Sequence, residues 1–372
     1  MADHAPRRDA ALVALDWGTS SFRGWVLGAG GEVLDEVRTD DGTLRCSVGA
    51  GSGFERATAF ERAFERLCGP WLDRHPGLPV LAAGMVGSNH GWADAGYLDV
   101  PAELARLADH LAQVPVPGRV AGSVVHLVPG LRVAGSDPDV LRGEEVQLVG
   151  VLEELRDDAV QGASGRLTTA VLPGTHSKWV RLDGDRVTGF TTVMTGELYG
   201  LLLRDSILAR LAEPRADDGA ATDASDVTAA FDRGVDTDAD RGDDRGLASL
   251  LFTARTLVMA GTLRPDEVAD YVSGLLVGSE VRHALRSADG PGGGPGRVVV
   301  CASRSTGPRY HRALTRHGAA AHGVGEDVAA RGLWRVARDA GLVAATPDTP
   351  ETPETPETPD AATPHRTEER SS

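Results

Sequence analysis

Cysteine is scarce: Cys46, Cys68 and Cys301 are the only three among 372 residues. They form no Cys-x-x-Cys pair and no zinc-like spacing, which excludes a disulfide scaffold and a cysteine zinc site and fits a reducing compartment. Basic side chains are outnumbered by acidic ones, 38 to 54, for a net charge of −16. That balance excludes sequence-independent binding to nucleic acid or to an anionic membrane. The longest apolar stretch, Leu247 to Leu263, carries Arg255 and falls short of a membrane span. Arg7-Arg8 precedes an apolar run that ends at Asp16 with no small-residue cleavage pattern, so no signal peptide is read there. The reading is a cytoplasmic protein. A Gly-x-x-x-x-Gly-Lys-Ser/Thr string is also missing, which excludes a P-loop.

What is present is globular in composition, 41% hydrophobic and 25% charged, in a chain long enough for two domains. One local pattern occurs twice. Leu15-Asp16-Trp17-Gly18-Thr19-Ser20-Ser21 matches Leu172-Pro173-Gly174-Thr175-His176-Ser177-Lys178. Each follows a short β-prone run, and each precedes a hairpin closed by Gly30-Gly31 or by Asp183-Gly184-Asp185. Glycine permits a sharp turn and close approach to a ligand. The turn's amides and hydroxyls then point at an anion. A Rossmann loop opens a helix, whereas these turns open a second strand. Asp16 ends its strand beside the first turn, a natural Mg²⁺ ligand, often through water. Two related lobes facing one phosphate ligand are the expectation.

The intervening sequence alternates helical and strand-like segments, which makes the class α/β. A helix is expected from about Phe54 to Leu72, a strand at Leu78 to Ala83, and a binding loop over Gly84 to Trp92. Another helix is read over Val140 to Leu155, where Leu148, Val149, Leu152 and Leu155 share a face. Ala212 to Gly246 reads mostly as an acidic surface loop, with a short helix open at Asp226 to Arg233. Leu247 to Leu263, Asp266 to Leu285 and Asp327 to Ala340 read as helices, with a Gly/Pro linker at Gly290 to Gly296 before a strand at Arg297 to Cys301. The domain division is a disordered leader at 1–10, lobes at 11–140 and 141–345, and a disordered Thr/Pro/Glu tail at 346–372.

Five motifs occur in order: Asp16-Trp17-Gly18-Thr19, Gly84-Met85-Val86-Gly87-Ser88-Asn89, Arg142-Gly143-Glu144-Glu145, Pro173 to Trp179, and Met194-Thr195-Gly196-Glu197-Leu198. Together they resemble the 2-dehydro-3-deoxygalactonokinase family, sugar-acid kinases of the actin/Hsp70/sugar-kinase superfamily, from about Leu12 to Leu342. The resemblance implies a two-lobed ribonuclease-H-like, actin-like ATPase fold with nucleotide in the cleft. It implies transfer of the ATP γ-phosphate to the 6-hydroxyl of 2-dehydro-3-deoxy-D-galactonate, with ATP and Mg²⁺ as cofactors. Where relatives tend to carry Gly-Thr after the strand ending at Cys301, this chain has Ser303-Arg304.

Phosphoryl transfer needs positioning and charge neutralisation. Asp16 is the expected metal and catalytic residue, with Gly18, Thr19 and Ser20 on the phosphates. Gly174, Thr175, Ser177, Lys178 and Ser303 are the remaining nucleotide candidates, Lys178 reading equally as an exposed strand-start residue, and His176 is a loop donor. Glu144 and Glu145 are candidates for the base that takes the acceptor proton, since related phosphatases place an essential glutamate in a similar Gly-Glu-Glu string, with Glu144 favoured and Glu197 as the competitor. Carboxylates in a first helical turn also serve the helix dipole. Ser88, Asn89, Trp92, Arg142 and Glu197 are the substrate candidates, Arg142 for the carboxylate, with Arg23 as its alternative. Trp25, Trp71 and Trp334 are assigned to the core. Partners are the sugar acid and ATP, with oligomeric state open, homodimer included. Two alternatives remain: a polyphosphatase-type phosphohydrolase, which shares both turns, and a nucleotide-switched assembly protein. The loop Gly84 to Trp92 favours a kinase, because a hydrolase needs only water there.

Overall fold

The protein is described by a computed structural model over residues 9–48, 53–116, 118–119, 122–157, 168–213, 227–288 and 296–344. Residues 1–8 of the expected leader, 290–295 of the expected linker and the whole of the expected tail, 346–372, lie outside these.

The first half begins with strands β1 (Ala10–Trp17), β2 (Phe22–Gly28) and β3 (Val33–Thr39), followed by helices α1 (Thr43–Ser47) and α2 (Gly53–Arg74) and strand β4 (Val80–Ala83). Short strands β5 (Tyr97–Asp99), β6 (Ala102–Glu103), β7 (Ala112–Pro115), β8 (Val124–Leu127), β9 (Gly130–Val133) and β10 (Asp139–Leu141) lead to helix α3 (Glu144–Asp157). The second half holds β11 (Thr168–Leu172), β12 (Ser177–Asp183), β13 (Arg186–Val193), α4 (Thr195–Asp205), α5 (Ala229–Arg245), α6 (Leu247–Met259) and α7 (Val268–Ala288). It ends with β14 (Arg297–Ala302), α8 (Gly307–Arg316), β15 (Ala321–Gly325) and α9 (Val328–Asp339).

The repeat seen in the sequence is a repeat of topology. One sheet has the order β3-β2-β1-β4-β8-β7 and the other β15-β14-β11-β12-β13-β6. In each, an antiparallel three-stranded meander is joined through its first strand to two parallel strands, β4 and β8 or β14 and β15. That is the ribonuclease-H-like plan twice over, the two-lobed actin-like fold expected from the resemblance. A small sheet, β10-β9-β5, is tied to β13 of the second sheet through Asp139, which accepts from the Thr192 amide and hydroxyl, each at 2.7 Å.

Helices α3 and α9 sit between the lobes. A single apolar core joins Leu12, Leu27 and Leu81 of the first sheet to Leu172, Val180 and Val299 of the second, with Val146, Val151, Leu333 and Trp334 from these helices. The two helices touch backbone to backbone: a Cβ on Gly332 would stand 1.8 Å from the Val146 carbonyl oxygen, and one on Gly150 would stand 2.1 Å from that of Val328. The outer face of the first sheet is covered by α2 through Phe60, Phe64, Cys68 and Trp71. The outer face of the second packs on α5, α7 and α8 through Phe231, Val235, Val277, Val281 and Leu314. Trp25, Trp71 and Trp334 are all core residues, as expected. Residues 102–103 cross from the first half to pair with Arg186 and Val187 of β13.

Two readings need correction. Val140 and Leu141 are not helical but pair with Arg132 and Leu131, and α3 starts only after Gly143, whose φ of +105° interrupts the chain. In the acidic stretch read as a surface loop, 229–245 form helix α5, while 214–226 lie outside the described residues. Thr228 caps α5 by accepting from the Phe231 amide at 3.1 Å. Its inner face buries Ala230, Phe231, Gly234, Val235 and Asp238. Asp238 is fully buried because Arg282 of α7 bonds it at 2.7 Å. A carboxylate that reads as solvated in sequence is here an internal ion pair.

Candidate active site

The two Gly-Thr turns are built alike. In the first, the carbonyls of Gly18 and Thr19 accept from the Thr43 and Leu44 amides at the start of α1, at 2.9 and 3.1 Å. In the second, the Thr175 carbonyl accepts from the Glu197 amide at the start of α4, at 2.9 Å. A Cβ on Gly196 would stand 2.3 Å from the Gly174 oxygen, so only glycine lets α4 approach the turn this closely. With their carbonyls held behind them, Thr19, Ser20, Gly174, Thr175 and His176 face solvent. Each turn thus exposes hydroxyls and is held from behind by the first amides of a helix.

Between the turns lies a charged cluster contributed by both lobes. Asp16, at the end of β1, keeps partial solvent contact. Its pKa is pushed up to about 6, chiefly by burial; Arg23 opposes the rise, and Glu144 and Glu326 add to it. Arg23, opposite Asp16 on β2, reaches Glu326 at 3.1 Å and serves as an ion pair. Lys178, expected as either a phosphate group's partner or an exposed strand residue, is buried, with Nζ 3.6 Å from Glu144 Oε1. That contact draws the second turn's strand onto the first residue of α3. Gly84 and Gly143 make room for this meeting. Gly84 has φ +94°, and a Cβ there would collide with the Trp17 carbonyl at 2.7 Å.

The adjacent glutamates are held differently. Glu144 Oε2 accepts from the Arg142 amide at 3.0 Å, and its side chain is 23% exposed. Glu145 is fully buried, accepts from the Gly143 amide at 2.6 Å, and has an Oε1 with no partner. Burial pushes its pKa up to about 8, with the Glu144 charge adding and backbone amides and Arg142 opposing. At neutral pH Glu145 holds its proton.

Among the expected substrate residues, Asn89 is exposed, whereas Ser88 donates inward to the Met85 carbonyl at 2.8 Å. Trp92 is in the aromatic core against Trp17 and Phe64, where it supports the loop from below. Arg142 is buried under the same loop, bonded to the Gly96 carbonyl at 2.8 Å and lying 4.3 Å over the Tyr97 ring. Its Nε and Nη1 have no partner. Glu197 is in the first turn of α4 and meets His176 Nε2 at 2.5 Å.

Beside the second turn a cavity of about 280 Å³ opens between α4, α7 and the start of α8, lined by Gly174, Thr195, Tyr199, Ser305, Thr306 and Arg309 among others. Ser177 is behind this wall, fully buried, its hydroxyl 2.8 Å from that of Tyr310.

A family model described as 2-keto-3-deoxy-galactonokinase matches residues 16–336. The chain belongs to the 2-keto-3-deoxy-galactonokinase family. It is 37% identical over 328 residues to a protein of Rhizobium meliloti (strain 1021) named as a 2-dehydro-3-deoxygalactonokinase, covering 87% of this chain and 96% of that one. It is 34% identical over 273 residues to the 2-dehydro-3-deoxygalactonokinase of Escherichia coli (strain K12), covering 73% and 80%. A Sinorhizobium meliloti crystal structure provisionally assigned the same activity superposes with a TM-score of 0.70 at 32% identity, over 88% of this chain and 98% of that one.

In this family member the turn after β14 is built on hydroxyls. Ser303 Oγ lies 2.9 Å from Ser305 Oγ and 3.0 Å from Thr306 Oγ1, so Ser303 braces the loop while Ser305 and Thr306 line the cavity. Arg304 points to solvent. Sequence reasoning missed Tyr199, Arg309 and Tyr310, which line this cavity. Arg309 offers no motif; it comes to the cavity only because Asp270 bonds it at 2.6 Å across the fold.

Proposed function

We propose that the protein transfers the γ-phosphate of ATP to the 6-hydroxyl of 2-dehydro-3-deoxy-D-galactonate. The observation that carries this reading is the pair of matched turns, with Asp16, Glu144 and Lys178 gathered between them. Family membership supplies the substrate class.

In this reading the adenosine occupies the cavity beside Gly174, and the phosphates span the two turns. Gly18, Thr19 and Ser20 contact one side and Gly174 and Thr175 the other, with Lys178 neutralising charge. Asp16 fits a hard divalent cation: its carboxylate is destabilised by burial and by two neighbouring carboxylates, which a cation would relieve. Among the described residues no group of three acidic, His or Cys ligands surrounds it, so phosphate oxygens and water would complete the shell. Mg²⁺ bound there supplies charge neutralisation and alignment of the phosphates.

Glu144 is the base of this reading. It is partly exposed beside Asp16, while Glu145 keeps its proton and secures Gly143. The sugar acid is met by Asn89 and Glu197, with Ser88 and Trp92 shaping the loop. The unpartnered Nε and Nη1 of Arg142 are the donor pair a carboxylate requires. At 3% side-chain exposure, Arg142 is reached only when the loop 84–92 shifts. Three free thiols fit the cytoplasm as the site of action.

A coupled assay with ATP, Mg²⁺ and a panel of 2-keto-3-deoxy sugar acids tests the reading. Turnover dependent on one of these acids is expected. ATP hydrolysis indifferent to all of them, together with polyphosphate breakdown, would replace it with the phosphohydrolase alternative.

A further inference from the structure

Glu280 is a buried carboxylate near the middle of α7 that no step above uses. It is 4% exposed. Its Oε1 accepts from the Trp179 indole at 2.7 Å, and its Oε2 accepts from the Tyr310 hydroxyl at 2.8 Å. Tyr310 in turn meets the Ser177 hydroxyl at 2.8 Å, and the Thr195 and Ser177 hydroxyls also bond Glu280.

Thr195 and Tyr310 belong to different walls of the cavity beside Gly174, and Ser177 stands behind it. Ser177 opens β12 directly after the Gly174-Thr175-His176 turn. Thr195 is the first residue of α4, and Tyr310 stands in α8 just after the Ser305-Thr306 loop. Thr195 and Tyr310 line the cavity themselves, as do Leu276 and Val277, one turn before Glu280 on α7. Turn, α4, α7 and α8 therefore meet at one side chain. A second cavity, of about 300 Å³, lies on the far side of this network; it is lined by Trp179 and by Glu280 itself and shares Thr195 and Leu276 with the first, whereas Tyr310 lines only the first.

We propose that Glu280 is the positioning residue of the nucleotide cavity, fixing the second Gly-Thr turn, the start of α4 and the start of α8 at the spacing that an adenosine phosphate needs. The inference rests on the kinase reading, because that reading puts the nucleotide in this cavity. A buried carboxylate suits the task physically. It is an acceptor for several donors at once, its hydrogen bonds are stronger than neutral ones, and low surrounding polarity makes an unpaired arrangement costly. The network consequently has one satisfied geometry.

The geometry separates a positioning role from general support of the fold. The Tyr310 branch faces the nucleotide cavity, while the Trp179 branch faces the other. Glu280→Gln keeps the shape but leaves one donor without an acceptor, and Tyr310→Phe removes the hydroxyl bonded to both Glu280 and Ser177 while keeping the ring. Trp179→Phe removes a bond to the same carboxylate on the opposite side and serves as the control.

The measurements are ADP affinity by calorimetry, KM for ATP and for the sugar acid, kcat, and Tm, all on the full chain. Tyr310→Phe and Glu280→Gln are expected to weaken ADP binding and raise KM for ATP about tenfold, as loss of a charge-assisted bond implies. In Tyr310→Phe, which leaves the Thr195 contact with Glu280 in place, KM for the sugar acid stays within about twofold. Trp179→Phe lowers Tm but leaves ADP affinity unchanged. Unchanged ADP affinity in Tyr310→Phe overturns the proposal, and so does a Trp179→Phe variant that loses affinity in step with its Tm. If Glu280→Gln fails to fold, the Tyr310→Phe and Trp179→Phe pair still decides. Failure of the wild-type chain to bind ADP at all would instead overturn the kinase reading.

Discussion

Replacing Glu145 with glutamine should stabilise the protein by an amount that depends on pH. The folded carboxyl titrates near 8, against 4.5 for an ordinary glutamate, because it is buried. A folded pKa above the unfolded one means that the folded state keeps a proton the unfolded chain has lost between those two values. The group's contribution to stability is therefore intact below 4.5 and is lost as pH rises through 8. Each pKa unit is ~1.36 kcal/mol, so the loss is ~3 kcal/mol at pH 7 and levels near ~5 kcal/mol above pH 8. Glutamine does not ionise and escapes this loss. Its amide nitrogen inherits the position of Oε1, which has no partner, at a cost of ~1–2 kcal/mol. The net effect is a gain of ~1–2 kcal/mol at pH 7, ~3 kcal/mol at pH 9, and a small loss at pH 5. Urea unfolding of both proteins at these three pH values measures it directly, with equal m-values required. A stability difference that is the same at every pH would refute the assignment of a buried, protonated Glu145. The same variant bears on mechanism, because a carboxyl that is already protonated accepts no proton. Glu145→Gln should keep its kcat at pH 7; collapse of turnover would return Glu145 to the base's role.

Asp16→Asn should lower kcat by ~10²-fold or more, as removal of a key electrostatic group does elsewhere; near-normal turnover would take Asp16 out of the metal site. Because Asp16 without metal titrates at about 6, Mg²⁺ affinity measured by titration should fall as pH drops through that value, and flat affinity from pH 5 to 7.5 would exclude it as the ligand. Gly332→Ala should cost about 3 kcal/mol in denaturant unfolding, since its Cβ would overlap the Val146 carbonyl and force α3 and α9 apart. A loss below about 0.5 kcal/mol, the range of an ordinary surface change, would mean the helices pack less closely than described.

The most legible parts of the chain were those written in local backbone rules. Asp16 to Ser21 and Pro173 to Lys178 carry glycine and hydroxyl residues at matching offsets from a strand end, and both became turns between antiparallel strands. Helix α2 could be read from composition and spacing, and so could α9. The second sheet's parallel strands β14 and β15 lie far from β11 in sequence. Only the recurring topology shows them to be counterparts of β4 and β8.

By itself the sequence determined the fold class, the duplicated phosphate-type turns and the family, because turns and strand alternation are set by nearest neighbours. The tertiary structure decided what each charged or polar side chain faces. Lys178 and Asp238 read as surface residues until Glu144 and Arg282 arrive from elsewhere in the chain. Ser177 reads as a phosphate donor until Tyr310 claims its hydroxyl. Trp92 reads as a pocket wall until Trp17 and Phe64 enclose it. Adjacent Glu144 and Glu145 are chemically identical in sequence, and one helical step places one at the cleft and the other in the interior. Burial and partner choice depend on contacts made across the whole chain, so the protonation state of a carboxylate is a property of the fold.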